Sequence, residues 1–367
     1  MEEAVVRLAE ATLAGAKDLP PPPGGRRPLV IDPLIDRASG METNATRSMV
    51  ASIENLVRER YPAFELKPFN VTVLDEKPLI LLGSITTVTA SGSLTNTSGP
   101  SSTYRIWAVL GDLQTGTILS HPTAWVRAET VDPTPVRFSS ESPVWLDDEA
   151  MAAYLRTCAG QPGTPMDPTY LRGLRAQAAV AGAIDAYERN RFDQALALYR
   201  QAENEPGGQQ ARVLNGLYLA NWALGRRQEA ETAFNEMVNY GLARNRLAVK
   251  LLFRPGTSEF VRNPDISAPY PMWLRQIADR VVQRDMCLQI IGHTSVTGSD
   301  LLNNRLSLAR AQTVRVQLAA DKPSLRGRSQ AIGRGSREPI VGLGTDDMRD
   351  ALDRRVEFVP QRCMGLT

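Results

Sequence analysis

The sequence predicts a multidomain chain of mixed α/β and α+β class: an N-terminal α/β sandwich, a central pair of helical repeats and a C-terminal βαβαββ domain. Three observations support this. At 367 residues the chain exceeds one ordinary domain and suits two or three. Strand-like and helix-like periodicities alternate at both ends, whereas the stretch between is helical throughout. The composition, 43% hydrophobic and 22% charged, is that of an ordinary globular protein. The expected boundaries are 1–160, 167–245 and 246–363.

In the first domain, Val5, Leu8, Ala9 and Leu13 recur at helical spacing, and the helix ends in the Pro/Gly-rich spacer from Asp18 to Gly25. Leu29 to Leu34 reads as a short buried strand. Thr43 to Arg60 reads as a helix with Met49, Ile53, Leu56 and Val57 on one face, stopped before Pro62. Strands are expected at Phe64 to Phe69, Pro78 to Ala90, Tyr104 to Leu110 and Ile118 to Val126. Asp112 to Gly116 forms a hairpin turn between the last two, and Ser91 to Ser102 a polar loop. This order loosely resembles the CsgG- and LpoB-like periplasmic domains, a likeness of pattern without a diagnostic motif.

The central stretch carries an internal repeat. Phe192, Ala195, Tyr199 and Ala202 align with Arg227, Ala230, Phe234 and Met237, and Asn190 and Gly225 share one turn offset. Small residues at helix crossings with an aromatic four positions on resemble the tetratricopeptide repeat. Two copies are few for such a stack, so the pair is expected to lean on its neighbours as a spacer or a docking surface for protein partners. An ordinary helical linker is the alternative.

In the last domain Leu247 to Phe253 reads as a strand and Tyr270 to Gln283 as a helix presenting Trp273, Leu274, Ile277 and Val281. Leu288, Ile290 and Ile291 make a buried strand that stops at Gly292. A loop of small and hydroxylated residues follows, and then a helix. In that helix Asn303 and Arg310 stand about two turns apart on one face. Gln330 to Gly335 and Arg355 to Val359 complete the sheet. A loop rich in amide N–H groups beside a guanidinium suits a carboxylate. That guanidinium is expected to be open to solvent.

The stretch Gly292-His293-Thr294-Ser295, with Asn303, Leu306, Ser307, Arg310 and Ala311, resembles the signature G-H-T-D…N-x-x-L-S-x-x-R-A of the OmpA-like peptidoglycan-binding family. Asp353 to Phe358 is close to its N-R-R-V-E ending. The resemblance spans about 247 to 363. It implies a non-enzymatic cell-envelope protein that binds peptidoglycan stem peptides through Thr294, Ser295, Asn303 and Arg310, with Asp300 and Arg354 as further candidates. In that family the Asp of G-H-T-D holds the diaminopimelate ammonium and the Arg its carboxylate. Here Ser295 replaces the Asp, and losing a charge-assisted bond costs about 1.5–3 kcal/mol, roughly a ten- to hundredfold loss in affinity. Asp300 is a candidate replacement carboxylate. The alternative is an envelope scaffold that keeps the fold and has lost wall binding.

From Arg246 onward the chain has nineteen Lys/Arg against twelve Asp/Glu, a net +7, leaving −5 on the rest of a chain that totals +2. A basic C-terminal third favours an anionic polymer. Nucleic acid is not expected as the partner, because the basic residues are scattered and lack interleaved aromatics. Of three cysteines, Cys287 opens one strand and Cys363 follows another. They could form a disulfide if those strands are antiparallel neighbours; otherwise both stay thiols. His121 and His293 fall in different domains, so no metal or cofactor is expected. His293 reads as a packed loop residue, Arg354 and Arg355 as ion-pair formers, and Asp346, Asp347, Asp350 and Asp353 as solvated charges. No catalytic motif is present. No apolar run approaches the ~18 residues of a membrane span, and no export signal is visible. The resemblance implies a periplasmic location, at the wall or outer membrane, so the chain is read as a mature or trimmed form.

Overall fold

The computed structural model describes residues 1–20, 22, 25–88, 103–146, 148–245, 247–254, 256–345 and 347–363. The loop expected over 91–102, the strand end at Ala90, and parts of the 18–25 spacer lie outside these residues. The chain divides into two compact units. The first takes in the described residues of Met1–Asn96, Ser101–Ser139 and Asp147–Val213, and the second those of Ser140–Leu146 and Leu214–Thr367. The division falls within the helical stretch rather than at its ends, so the expected boundaries near 160 and 245 do not coincide with it.

Strict alternation explains the first unit. In β1 (Arg27–Ile31), β4 (Leu79–Thr87) and β5 (Thr103–Asp112), successive residues point to opposite faces of the sheet. Leu29, Ile31, Leu81, Ile106, Ala108 and Leu110 pack into one apolar cluster; Val30, Ile80, Leu82, Trp107 and Val109 pack into another. Helices α1 (Glu2–Leu13) and α2 (Asn44–Arg60) contribute to the first cluster, and α3 (Val71–Leu74), α5 (Glu149–Ala159) and α6 (Pro168–Glu188) to the second. The sheet has seven strands in the order β3-β1-β4-β5-β6, with β2 (Ile35–Asp36) beside β4 and β7 (Thr123–Arg127) beside β5. β3 (Phe64–Leu66) and β4 run parallel to β1, whereas β5 runs antiparallel to β4. The α/β sandwich is thus three layers deep. Thr43 caps α2 by accepting from the Thr46 amide, as the boundary read from sequence requires.

The single strand expected at Ile118 to Val126 is two: β6 (Thr117–Ser120) and β7, broken at His121-Pro122. Proline has no N–H for a ladder, so the chain leaves the sheet there and rejoins it. Helix α5 was not legible as such in the sequence. Beneath it, the Tyr170 hydroxyl donates to Asp32 Oδ2 at 2.7 Å, and the Tyr154 hydroxyl accepts from the Gly83 amide at 3.1 Å. Burial pushes Asp32 up to about 7, partly offset by the Tyr170 hydrogen bond.

The helical stretch comprises α6, α7 (Phe192–Asn204), α8 (Ala211–Ala223) and α9 (Arg227–Ala243). The repeat positions correspond: Phe192 and Arg227 open helices, and Ala195, Ala230, Tyr199, Phe234, Ala202 and Met237 are all buried. Asn190 and Gly225 both take positive φ, 59° and 72°, at the preceding turns.

The second unit is built on a five-stranded sheet in the order β11-β10-β12-β9-β8. β10 (Cys287–His293) lies parallel to β11 (Ser329–Gly335) and antiparallel to β12 (Val356–Gln361). β9 (Leu247–Val249) is shorter than the strand expected to run to Phe253. The Leu251 amide turns back to the Val249 carbonyl at 3.0 Å and bends the chain out of the ladder. Val144–Trp145 forms β8, an edge strand paired with β9 that the βαβαββ reading did not include. Helices α11 (Tyr270–Gln283) and α12 (Asp300–Asp321) supply the helical layer, with Trp273, Leu274, Ile277 and Val281 buried as the periodicity requires. Cys287 lies opposite Gln361 in the β10–β12 register. Two residues further on, Cys363 closes a disulfide with it, Cα–Cα 5.0 Å. Cys158 is a buried free thiol.

Candidate functional site

At the end of β10, α12 approaches the sheet closely. A Cβ at Gly292 would stand 2.1 Å from the Ser307 carbonyl oxygen, and one at Gly333 would stand 2.7 Å from the Leu308 amide nitrogen. Only glycine allows this contact. Ser307 seals it: its hydroxyl donates to the Asn304 carbonyl at 3.0 Å and accepts from the Gly335 amide at 2.9 Å. The strand-to-helix loop is thereby fixed. The Thr294 amide donates to the Gly335 carbonyl at 3.0 Å, and the Ser299 side chain caps α12.

Thr294, Ser295, Asn303, Arg310 and Arg354 all line one cleft of about 540 Å³. Asn303 Nδ2 donates to the Thr297 carbonyl at 2.9 Å, pinning the loop while its side chain still borders the cavity. Ser295 and Thr297 share a hydrogen bond between hydroxyls at 3.0 Å. Asp300, the candidate replacement carboxylate, is exposed at the start of α12 and does not line the cleft. The helix carries it away from the loop one residue after the cap. The carboxylate that borders the cleft is Asp347, which sequence reasoning treated as a solvated charge.

Arg310 departs from expectation in another respect. Its residue is only 2% exposed, whereas the sequence suggested a guanidinium open to solvent. Nε donates to the Thr257 carbonyl at 3.1 Å, and the guanidinium carbon stands 5.0 Å from the Phe253 ring centroid. The burial follows from contacts with Phe253 and Thr257, residues far from α12 in sequence and beyond the reach of periodicity. A planar guanidinium stacked near an aromatic face is desolvated and held in position for planar acceptors.

Other polar residues near the last strand are tied into the fold. Asp353, also read as solvated, is completely buried and accepts from the amides of Ile340, Val341 and Gly342 at 2.6, 2.8 and 2.6 Å. Burial pushes its carboxyl up, and those amides together with Arg355 draw it back. Arg354 donates to the Asp347 backbone carbonyl at 2.6 Å. Arg355 pairs with Glu357 at 2.7 Å, so the ion-pair reading holds for Arg355, while Arg354 also reaches the cleft. His293 is buried, with Nε2 3.7 Å from Glu357 Oε1, a packed position and not one facing the cleft.

Among the described residues no helix is long and apolar enough to cross a membrane. No family model matches the chain. Over 83 residues the chain is 35% identical to outer membrane protein A of Shimwellia blattae, which is 20% of this chain and 34% of that protein. The chain thus spans about a third of that relative's length. Among solved structures, it is similar to the peptidoglycan-associated lipoprotein from Burkholderia pseudomallei, 24% identical over 33% of this chain and 93% of that one, TM-score 0.27. It is also similar to the type VI secretion (T6SS) cell wall anchor from Pseudomonas aeruginosa, 26% identical over 31% of this chain and 78% of that one, TM-score 0.25.

Proposed function

We propose that the second unit binds peptidoglycan stem peptides, with Arg310 taking a diaminopimelate carboxylate, and that the chain is a non-enzymatic protein of the periplasmic envelope. The observation that carries the reading is convergence: Thr294, Ser295, Asn303 and Arg310, chosen from sequence, border one open cleft. The similarity to outer membrane protein A over 83 residues supports an envelope setting. The Cys287–Cys363 disulfide suits an oxidising compartment. The repeats and the first unit are left to engage protein partners.

In this reading Arg310 supplies the fixed cation, and neighbouring N–H and hydroxyl groups orient the acid. Ser295 offers the ligand's ammonium a hydroxyl where the resembling family offers a charge, and Asp347 brings a carboxylate to another part of the cleft wall. A second reading, a scaffold that no longer binds the wall, is favoured by the engaged Ser295 hydroxyl and the deep burial of Arg310. Co-sedimentation with purified peptidoglycan separates them. Retention of the unaltered chain that Arg310→Ala abolishes supports wall binding, whereas failure of the unaltered chain to sediment supports the scaffold.

A further inference from the structure

A second cavity in the same unit, about 210 Å³ in volume, has aromatic walls and a lysine at its edge. Tyr218, Trp222, Tyr270 and Trp273 form the walls. Their polar tips are tied down: Trp273 Nε1 donates to the Tyr218 hydroxyl at 3.0 Å, and the Leu252 amide donates to the Tyr270 hydroxyl at 3.0 Å. The rings also brace one another, Phe234 stacking on Trp273 at 5.5 Å and Tyr218 on Trp222 at 5.9 Å. Such a wall is ordered before any ligand arrives, which lowers the entropic cost of binding.

Lys250 is only 8% exposed, unusual for a lysine, and its Nζ donates to the Ser140 carbonyl at 2.7 Å. We propose that this cavity is a binding site for a small aromatic carboxylate, with the ring against the Tyr218–Trp273 wall and the acid on the Lys250 ammonium. Size favours one ring: a cavity of roughly 150 Å³ holds benzene, and this one is moderately larger. The Lys250 ammonium favours an acid over an amine, because a cationic ligand would meet it in a poorly solvated place, and the Glu141 carboxylate, which also borders the cavity, is the charge the acid competes with. The inference does not depend on wall binding in the neighbouring cleft.

Protonation gives the site a signature. Burial lowers Lys250 to about 7, and Glu141, which also borders the cavity, opposes that shift. Burial pushes Tyr270 up to about 12 and Tyr218 higher still, so both remain neutral near pH 7. A bound carboxylate favours the ammonium, so binding takes up a proton and weakens as pH rises past 7.

The test titrates phenylacetate, phenylacetamide and phenethylamine into the full chain by calorimetry at pH 6 and pH 8.5, and repeats the series with Lys250→Met. Phenylacetate is expected to bind about tenfold or more tightly than the amide at pH 6. That advantage shrinks at pH 8.5 and vanishes in the variant. Equal binding of acid and amide at pH 6, a preference for the amine, or no binding of phenylacetate at millimolar concentration overturns the proposal. The acid–amide comparison on the unaltered chain decides even if Lys250→Met fails to fold.

Discussion

Both units bury charged groups beside a sheet, yet they use them differently. In the first, both faces of the sheet are covered, and Asp32 is enclosed with the Tyr170 hydroxyl as partner. In the second, Arg310, Arg354 and Asp347 border an open cleft. A buried polar group that is fully enclosed serves only the fold; the same kind of group at the rim of a cavity is available to a ligand.

The contrast breaks most severely at Asp353, whose carboxylate gathers the amides of Ile340, Val341 and Gly342. Asp353→Ala leaves those donors buried and unsatisfied, and is expected to cost about 3–5 kcal/mol. Urea unfolding followed at the second unit's tryptophans, Trp145, Trp222 and Trp273, measures it. Replacing Cys287 and Cys363 together removes a link spanning 76 residues and is expected to cost about 2–4 kcal/mol. Reduction of the unaltered chain should reproduce this loss, leaving the first unit, whose Cys158 is a free thiol, unchanged.

How far the sequence reached follows the same division. Period-3.6 patterns located α2, α11 and α12 because each buries one regular face, and an apolar run located β10, which is buried on both. The convergence of Thr294, Asn303 and Arg310 was legible because loop and helix are adjacent in sequence. What covers Arg310 was not: Phe253 and Thr257 come from a segment some fifty residues away, and no local spacing encodes that contact. Asp353 was misread for the same reason, since the amides that donate to it lie in a loop eleven to thirteen residues back with no repeating pattern. Edge strand β8 was invisible because two residues carry no period.

A change within the cleft sharpens the comparison. Ser295→Asp supplies the carboxylate that the resembling family has. It should raise stem-peptide affinity by about ten- to a hundredfold, or roughly 1.5–3 kcal/mol. Calorimetric titration checks this, and no gain would place the ligand's ammonium elsewhere, for example at Asp347.

The remaining effects are in pH dependence, and they have opposite signs. Asp32 titrates near 7 when folded and 3.8 in the reference state. Its contribution to stability is complete below 3.8 and is lost as pH rises through 7. Lys250 titrates near 7 when folded and 10.5 in the reference state. Its contribution is complete above 10.5 and is lost as pH falls through 7. Each slope is bounded at about 1.4 kcal/mol per pH unit. Asp32→Asn should remove the decline between pH 4 and 7, and Lys250→Met the rise between pH 7 and 10.5, in unfolding curves taken across both ranges.

The central claim is that the Arg310 guanidinium grips the acid of a stem peptide, and amidating that acid tests it without altering the protein. Calorimetry should show a diaminopimelate tripeptide binding the full chain and the version amidated at the side-chain carboxylate binding at least about tenfold more weakly. Equal affinity for the two peptides, or none for either, would contradict the account.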